Sequence, residues 1–339
     1  MARHKWDPVA PYAPVVHPVR VGDELTPDRA RGRGHRRTGS GLYVPAAVDN
    51  GVAQQRIVEE AARLPPGGAV TGWAACLLHG AAWLDGLDRD GRTQLPVALA
   101  VGPRGGVRKT SGIVVSFERL PEWEVWRRYG VRVVRPERAV FDEMRRHDRD
   151  EALVVLESAL AGRITSLRRF AAYVEGHRSA RRFDVIAWAL PRARGGARSP
   201  LEVRVRTLAE EHAGYGRLLV NRVVETLDGV RIGEVDLIDE ESGTPIEVDG
   251  AEHRNADRQA WDITKEEALR QVGLETARVT GSQLRDPSTL LRRLVAVRAR
   301  SLFLPAHARA WRLRHRDDDN EPLLQEREAE ALWHEEVCA

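Results

Sequence analysis

The stretch "GEVDLIDEESGTPIEVDG", residues 233–250, decides how the C-terminal half of this chain is read. Side chains alternate across a strand with a period of two. Val235 and Leu237 therefore face one side of the first strand and Asp236 the other; Ile246 and Val248 face one side of the second, Glu247 and Asp249 the other. A hairpin turn symmetric about Glu241–Ser242 sets Asp236 opposite Glu247, with Cβ atoms about 5 Å apart. Three acids gathered on one face repel one another unless water or a cation relieves them. Clustered hard oxygen ligands suit Mg²⁺ or Mn²⁺, and such an ion polarises a phosphodiester and generates hydroxide.

Around the hairpin the chain has a regular rhythm. "SPLEVRVRTLAEEHAG" (199–214) is a helix with Ser199 as N-cap, Pro200 at the first position and Glu202 at the third, the pattern of a capping box. Glu202 is either that box alone or a further ligand. "RLLVNRVVETL" (217–227) is a strand before the hairpin. "DRQAWDITKEEALRQVG" (257–273) is a helix closed by Gly273, "LETARVT" a strand and "DPSTLLRRLVAVRARSLF" a last helix. A helical crossover predicts that the last strand lies parallel to an earlier one. His253, just past the hairpin, is either a general base or phosphate contact, or an ordinary residue after a turn. Lysine occurs only as Lys5, Lys109 and Lys265, so any lysine role in this half falls to Lys265.

The order helix, three strands, helix, strand, with Glu202, Asp236, "Glu247-Val-Asp249-Gly250" and His253 spaced along it, resembles the Vsr-like (very-short-patch-repair) branch of the PD-(D/E)XK nuclease superfamily over roughly residues 199–285. The resemblance implies a restriction-endonuclease-like α-β-β-β-α-β-α domain. It implies a metal-dependent endonuclease acting on DNA in defence, repair or mobile-element control. Asp236, Glu247 and Asp249 would bind Mg²⁺ or Mn²⁺, and Glu202, His253 and Lys265 would complete the catalytic set. Two positions depart from the family pattern: Val235 stands where a Pro usually precedes the first Asp, and Asp249 where a catalytic Lys is common.

The first half reads as a mixed α/β region over 41–190. "LYVPAAV", "QLPVALAVG" and "SGIVVSFERL" are strand-like; "GVAQQRIVEEAARLPP" and "AVTGWAACLLHGAAWLDGL" read as helices, with His79 a packed histidine. "RAVFDEMRRHDRDEALVVLESALAGR", "SLRRFAAYVE" and "RFDVIAWALPRA" supply further helices. This half is similar to AbiEi-type antitoxin and transcriptional-regulator proteins, with "GHRRTGSGLYVP" resembling their wing. That similarity implies DNA and a cognate toxin or other protein as partners. It also gives the alternative function, a non-catalytic DNA-binding regulator. Residues 1–40 are then either a flexible basic arm, which could touch phosphates, or a vestigial winged-helix remnant. "GPRGGVRKT" (102–110) lacks the Gly directly before Lys that a phosphate-cradling loop needs, and reads as a turn with a basic edge.

"RARGGARSP" places a linker at 191–198 between these regions. The nuclease-like domain spans 199–304, and 305–339 is a tail that turns from basic to acidic. Arg168, Arg169, Arg181, Arg182, Arg194 and Arg198 flank the linker with few acids near them in sequence. They are either a phosphate-tracking surface or a solvated helical face. The 339-residue chain is 42% hydrophobic and 30% charged, the balance of a globular protein. It has no run approaching the roughly 18 apolar residues of a membrane span and no signal-peptide core. Its two cysteines form no disulfide framework. These features predict a cytoplasmic protein with no membrane association.

Overall fold

The computed structural model describes residues 12–23, 25–39, 41–81, 83–249 and 256–338, with the side chains of 256–262 and 330–338 left aside. Among them the chain is mixed α/β, with three sheets and eleven helices. It divides into two compact units, Met1–Ala193 with Asn320–Ala339, and Arg194–Asp319. No helix among the described residues is long and apolar enough to cross a membrane.

The first unit opens with a small sheet, in the region expected to be either a flexible basic arm or a vestigial winged-helix remnant. Strand β1 (Val19–Arg20), helix α1 (Pro27–Arg31), β2 (His35–Gly39) and β3 (Leu42–Pro45) assemble in the order β1-β3-β2, all antiparallel. Leu25, Ala30, Leu42 and Val44 are buried and anchor a stretch that composition alone reads as loose. Helix α2 (Ala53–Ala61) follows. The segment read as one long helix from Ala69 is instead β4 (Ala69–Val70) followed by α3 (Gly72–His79), which Gly80 ends in the left-handed conformation at φ 116°. Strands β5 (Val97–Ala100), β6 (Ile113–Ser116), β7 (Val125–Arg128) and β8 (Val131–Val134) complete a five-stranded sheet, ordered β6-β5-β4-β8-β7. The β7–β8 hairpin went unread because its turn, Tyr129–Gly130, lacks the Asn-Gly signature, although both residues have positive φ. Helices α4 (Pro136–Met144), α5 (Arg149–Ala161), α6 (Leu167–Glu175) and α7 (Phe183–Ala189) follow in the expected places.

The second unit starts inside the Gly/Arg stretch. Helix α8 (Pro200–His212) precedes β9 (Leu219–Thr226), β10 (Arg231–Asp239), β11 (Thr244–Asp249), α9 (Ala256–Gln271), β12 (Ala277–Thr280) and α10 (Pro287–Arg300), the element order read from the sequence. The sheet runs β12-β11-β10-β9-β13. Here β13 (Trp311–Leu313) is an edge strand that pairs with β9, inside the stretch read as tail. Trp311 packs into a core with Val224, Val235, Ile238, Leu269 and Leu274, which recruits residues up to Asp319 into this unit. Strand β12 is parallel to β11, as the crossover predicts; the other pairings are antiparallel.

The rest of the tail, α11 (Glu321–Cys338), belongs to the first unit. Glu321 there accepts from the Ser166 hydroxyl and pairs with Arg168 at 2.8 Å and Arg169 at 3.1 Å. Arg169 also meets Glu328 at 2.5 Å. The acids that the arginine cluster lacks in sequence are thus supplied from about 150 residues away.

Candidate functional site

The hairpin register is the one that the turn predicts. β10 and β11 pair as Asp239↔Thr244, Ile238↔Pro245 and Leu237↔Ile246, and one step further the same register sets Asp236 opposite Glu247. Val235, Leu237 and Ile246 are fully buried. Past Leu237 the strands are joined through side chains. Asp236 Oδ2 accepts the Val248 N–H at 2.7 Å, and Lys265 Nζ donates to the Glu234 carbonyl at 3.0 Å and to Glu247 Oε1 at 2.7 Å. Lys265 comes from α9, whose Leu269, one turn on, is anchored in the core. Its stem fits because residue 233 is glycine: a Cβ there would stand 2.7 Å from Lys265 Cγ and 2.8 Å from Cδ.

The electrostatics follow from burial. Glu247 and Lys265 are each 8% exposed. Burial pushes the Glu247 carboxyl up to about 7 against the pull of Lys265, and the neighbouring Asp236 charge adds to the rise. Burial raises Asp236 as well, opposed by the Val248 N–H and by Lys265 and Arg198, and assisted by the charge of Asp249. The two carboxylates and the ammonium therefore form one interacting group.

Glu202 is buried at the edge of this group, and burial, then the Asp236 charge, raise it to about 7. Ser199 caps α8 as expected, accepting the Glu202 N–H at 3.1 Å. The Glu202 side chain does not close a capping box onto Ser199 N. It accepts from Arg198 N at 3.0 Å, from Asn221 Nδ2 at 2.8 Å and from the Ser199 hydroxyl at 2.9 Å. With three donors on its two oxygens, Glu202 braces the start of α8 against β9.

Asp249 ends β11. It lies 3.6 Å from Arg278 of β12, a residue that the parallel register sets beside Glu247. Among the described residues no three His, Cys, Asp or Glu side chains gather as a metal-holding group. His253 lies outside the described residues.

Two contributors, Arg278 and Asn221, escaped sequence reading. Arg278 had a signal, its place on a strand predicted to run parallel to an earlier one. Asn221, at φ 49° inside β9, had none.

The six arginines expected to track phosphates fall in both units. Arg168 and Arg169 are ion-paired with α11. Arg182 donates to the His147 carbonyl at 2.5 Å, and Arg181 is exposed, its carbonyl accepting from Arg145. In the second unit Arg194 pairs with Glu210 at 2.9 Å and Arg198 with Glu234 at 2.6 Å. Five of the six are engaged within the protein.

No protein-family model, no curated protein and no solved structure matches this chain.

Proposed function

We propose that the second unit is a metal-dependent endonuclease-like domain that hydrolyses phosphodiester bonds in DNA. The observation that carries this reading is the Lys265–Glu247 contact of 2.7 Å beside Asp236, a buried lysine and two carboxylates brought together from three elements. Buried ionisable groups with shifted titration are concentrated where chemistry is done.

Asp236 and Glu247 fit a divalent cation. Both offer hard oxygen donors, and Mg²⁺ needs only one or two carboxylates, the remaining positions going to water and substrate phosphate. Bound there, the ion would polarise the scissile phosphate and lower the pKa of a coordinated water. Lys265 holds a positive charge at Glu247 and can donate to a phosphate oxygen as charge develops on it. The Val248 N–H fixes the Asp236 carboxylate, and Gly233 leaves the lysine its path. Asp249 and Arg278 stand at the end of the same strand pair, where Arg278 can meet a backbone phosphate.

The alternative of a non-catalytic DNA-binding regulator has one observation in its favour. Asp236 and Glu247 each already hold a donor, as in a satisfied structural pair. Incubating the protein with supercoiled and nicked DNA, with Mg²⁺ or Mn²⁺ or with chelator, separates the two. Cleavage that needs metal and falls at least about 100-fold in Glu247→Gln and Lys265→Met supports the nuclease reading. Salt-sensitive DNA binding without cleavage on any substrate overturns it in favour of the regulator.

A further inference from the structure

The first unit contains a cavity of about 640 Å³ lined by five cationic side chains. Arg20 comes from β1, Arg37 from β2, Arg63 from just after α2, and Arg108 and Lys109 from the loop between β5 and β6. No carboxylate is among its described lining residues. Arg63 has an acidic partner, Glu60 at 3.0 Å. Arg20, Arg37, Arg108 and Lys109 have none among the described residues, and all four are exposed.

The cavity is built. Arg63 donates to the Thr38 carbonyl on the small sheet and to the Thr110 hydroxyl at 3.4 Å on the opposing loop, tying the two walls together. Arg37 is held by donating to the Gly39 carbonyl at 2.9 Å. Bringing like charges into one concavity is unfavourable in the absence of an anion.

We infer that this cavity binds a compact polyphosphate group, carried either by free inorganic polyphosphate or by a nucleoside triphosphate. Its volume lies in the range of small-ligand sites. Guanidinium forks and an ammonium are the side chains that recognise phosphate oxygens. The described lining contains no aromatic ring to stack a base, so the phosphates themselves would be recognised. A duplex does not suit the shape. A nucleic acid spreads its charge along an axis instead of concentrating it in one concavity. The site is independent of the nuclease reading of the second unit.

Calorimetric titration of the full chain tests the inference. Sodium tripolyphosphate, ATP and a single-stranded oligonucleotide are compared at matched ionic strength, with Arg108→Ser/Lys109→Ser and Arg37→Gln as variants on exposed positions. The expected result is saturable 1:1 binding of tripolyphosphate that weakens about tenfold or more in the double variant, a loss of about 1.4 kcal/mol or more. ATP binding as well as tripolyphosphate identifies a nucleotide's triphosphate; tripolyphosphate binding alone identifies free polyphosphate. The inference is overturned if tripolyphosphate shows no saturable binding, if the double variant binds it unchanged, or if only the oligonucleotide binds.

Discussion

Replacing Lys265 with Met should destabilise the second unit in a strongly pH-dependent way. Lys265 and Glu247 are each 8% exposed and 2.7 Å apart. Breaking a buried pair by removing one partner costs about 3–5 kcal/mol, because the remaining charge stays buried without compensation. The sign with pH follows from Glu247, which burial holds near 7 even with the ammonium beside it. A carboxyl whose folded pKa lies above its unfolded value, about 4.3, binds its proton more tightly in the fold. Stability is then greatest below the unfolded value and declines as pH rises through the folded one. Lys265 lowers both Glu247 and Asp236, so its removal pushes both higher and extends the decline to more alkaline pH. The full loss of about 3–5 kcal/mol is expected at pH 8. At pH 5, where Glu247 is protonated with or without the lysine, about 1 kcal/mol should remain, for the hydrogen bond to the Glu234 carbonyl. Urea unfolding at the two pH values measures the loss, and hydrogen exchange in peptides covering Thr244–Asp249 assigns it to this unit. Lys265→Met combined with Glu247→Gln should recover most of the stability at pH 8. An equal loss at pH 5 and pH 8 would refute the reasoning, as would a loss below about 1 kcal/mol at pH 8.

Gly233→Ala should cost about 1–3 kcal/mol by overpacking, since its Cβ would meet the Lys265 stem at 2.7 Å. In a Lys265→Met background the same change should cost measurably less, and strict additivity in urea unfolding would show that the lysine stem is not what the methyl displaces. In the first unit, burial lowers His79 to about 4 despite its bond to the Val134 carbonyl. The unfolded chain then binds more protons between about pH 4 and 6.5, so stability rises with pH across that window, by about 1–3 kcal/mol. His79→Gln should flatten the rise in thermal or urea unfolding, and an unchanged slope would show that another group carries it.

Much of the second unit was legible because its signals are local. Ser199 and Pro200 mark a helix start through geometry set within one turn. Alternation in "GEVDLID" and "PIEVDG" sorts buried from polar positions with a period the backbone imposes. The symmetric turn fixed the register that brings Asp236 opposite Glu247, since sequence-adjacent strands leave few ways to pair. The crossover helix dictated that β12 runs parallel to β11. In the first unit the helices were legible, while the Tyr129–Gly130 hairpin and strand β1 carried too weak a local signal.

Tertiary structure decided which of these groups meet. That Lys265 reaches Glu247, that Glu202 braces a helix start through Asn221, and that Asp249 turns to Arg278 depend on packing between elements joined by loops and crossovers. The same holds for Trp311, which drew part of the presumed tail into a sheet, and for Glu321 and Glu328, which close on arginines about 150 residues earlier. Sequence specifies local conformation because it acts through neighbours within a turn or a strand pleat. Ion pairs and buried carboxyl groups depend on distance and dielectric, which exist only once the chain has closed on itself.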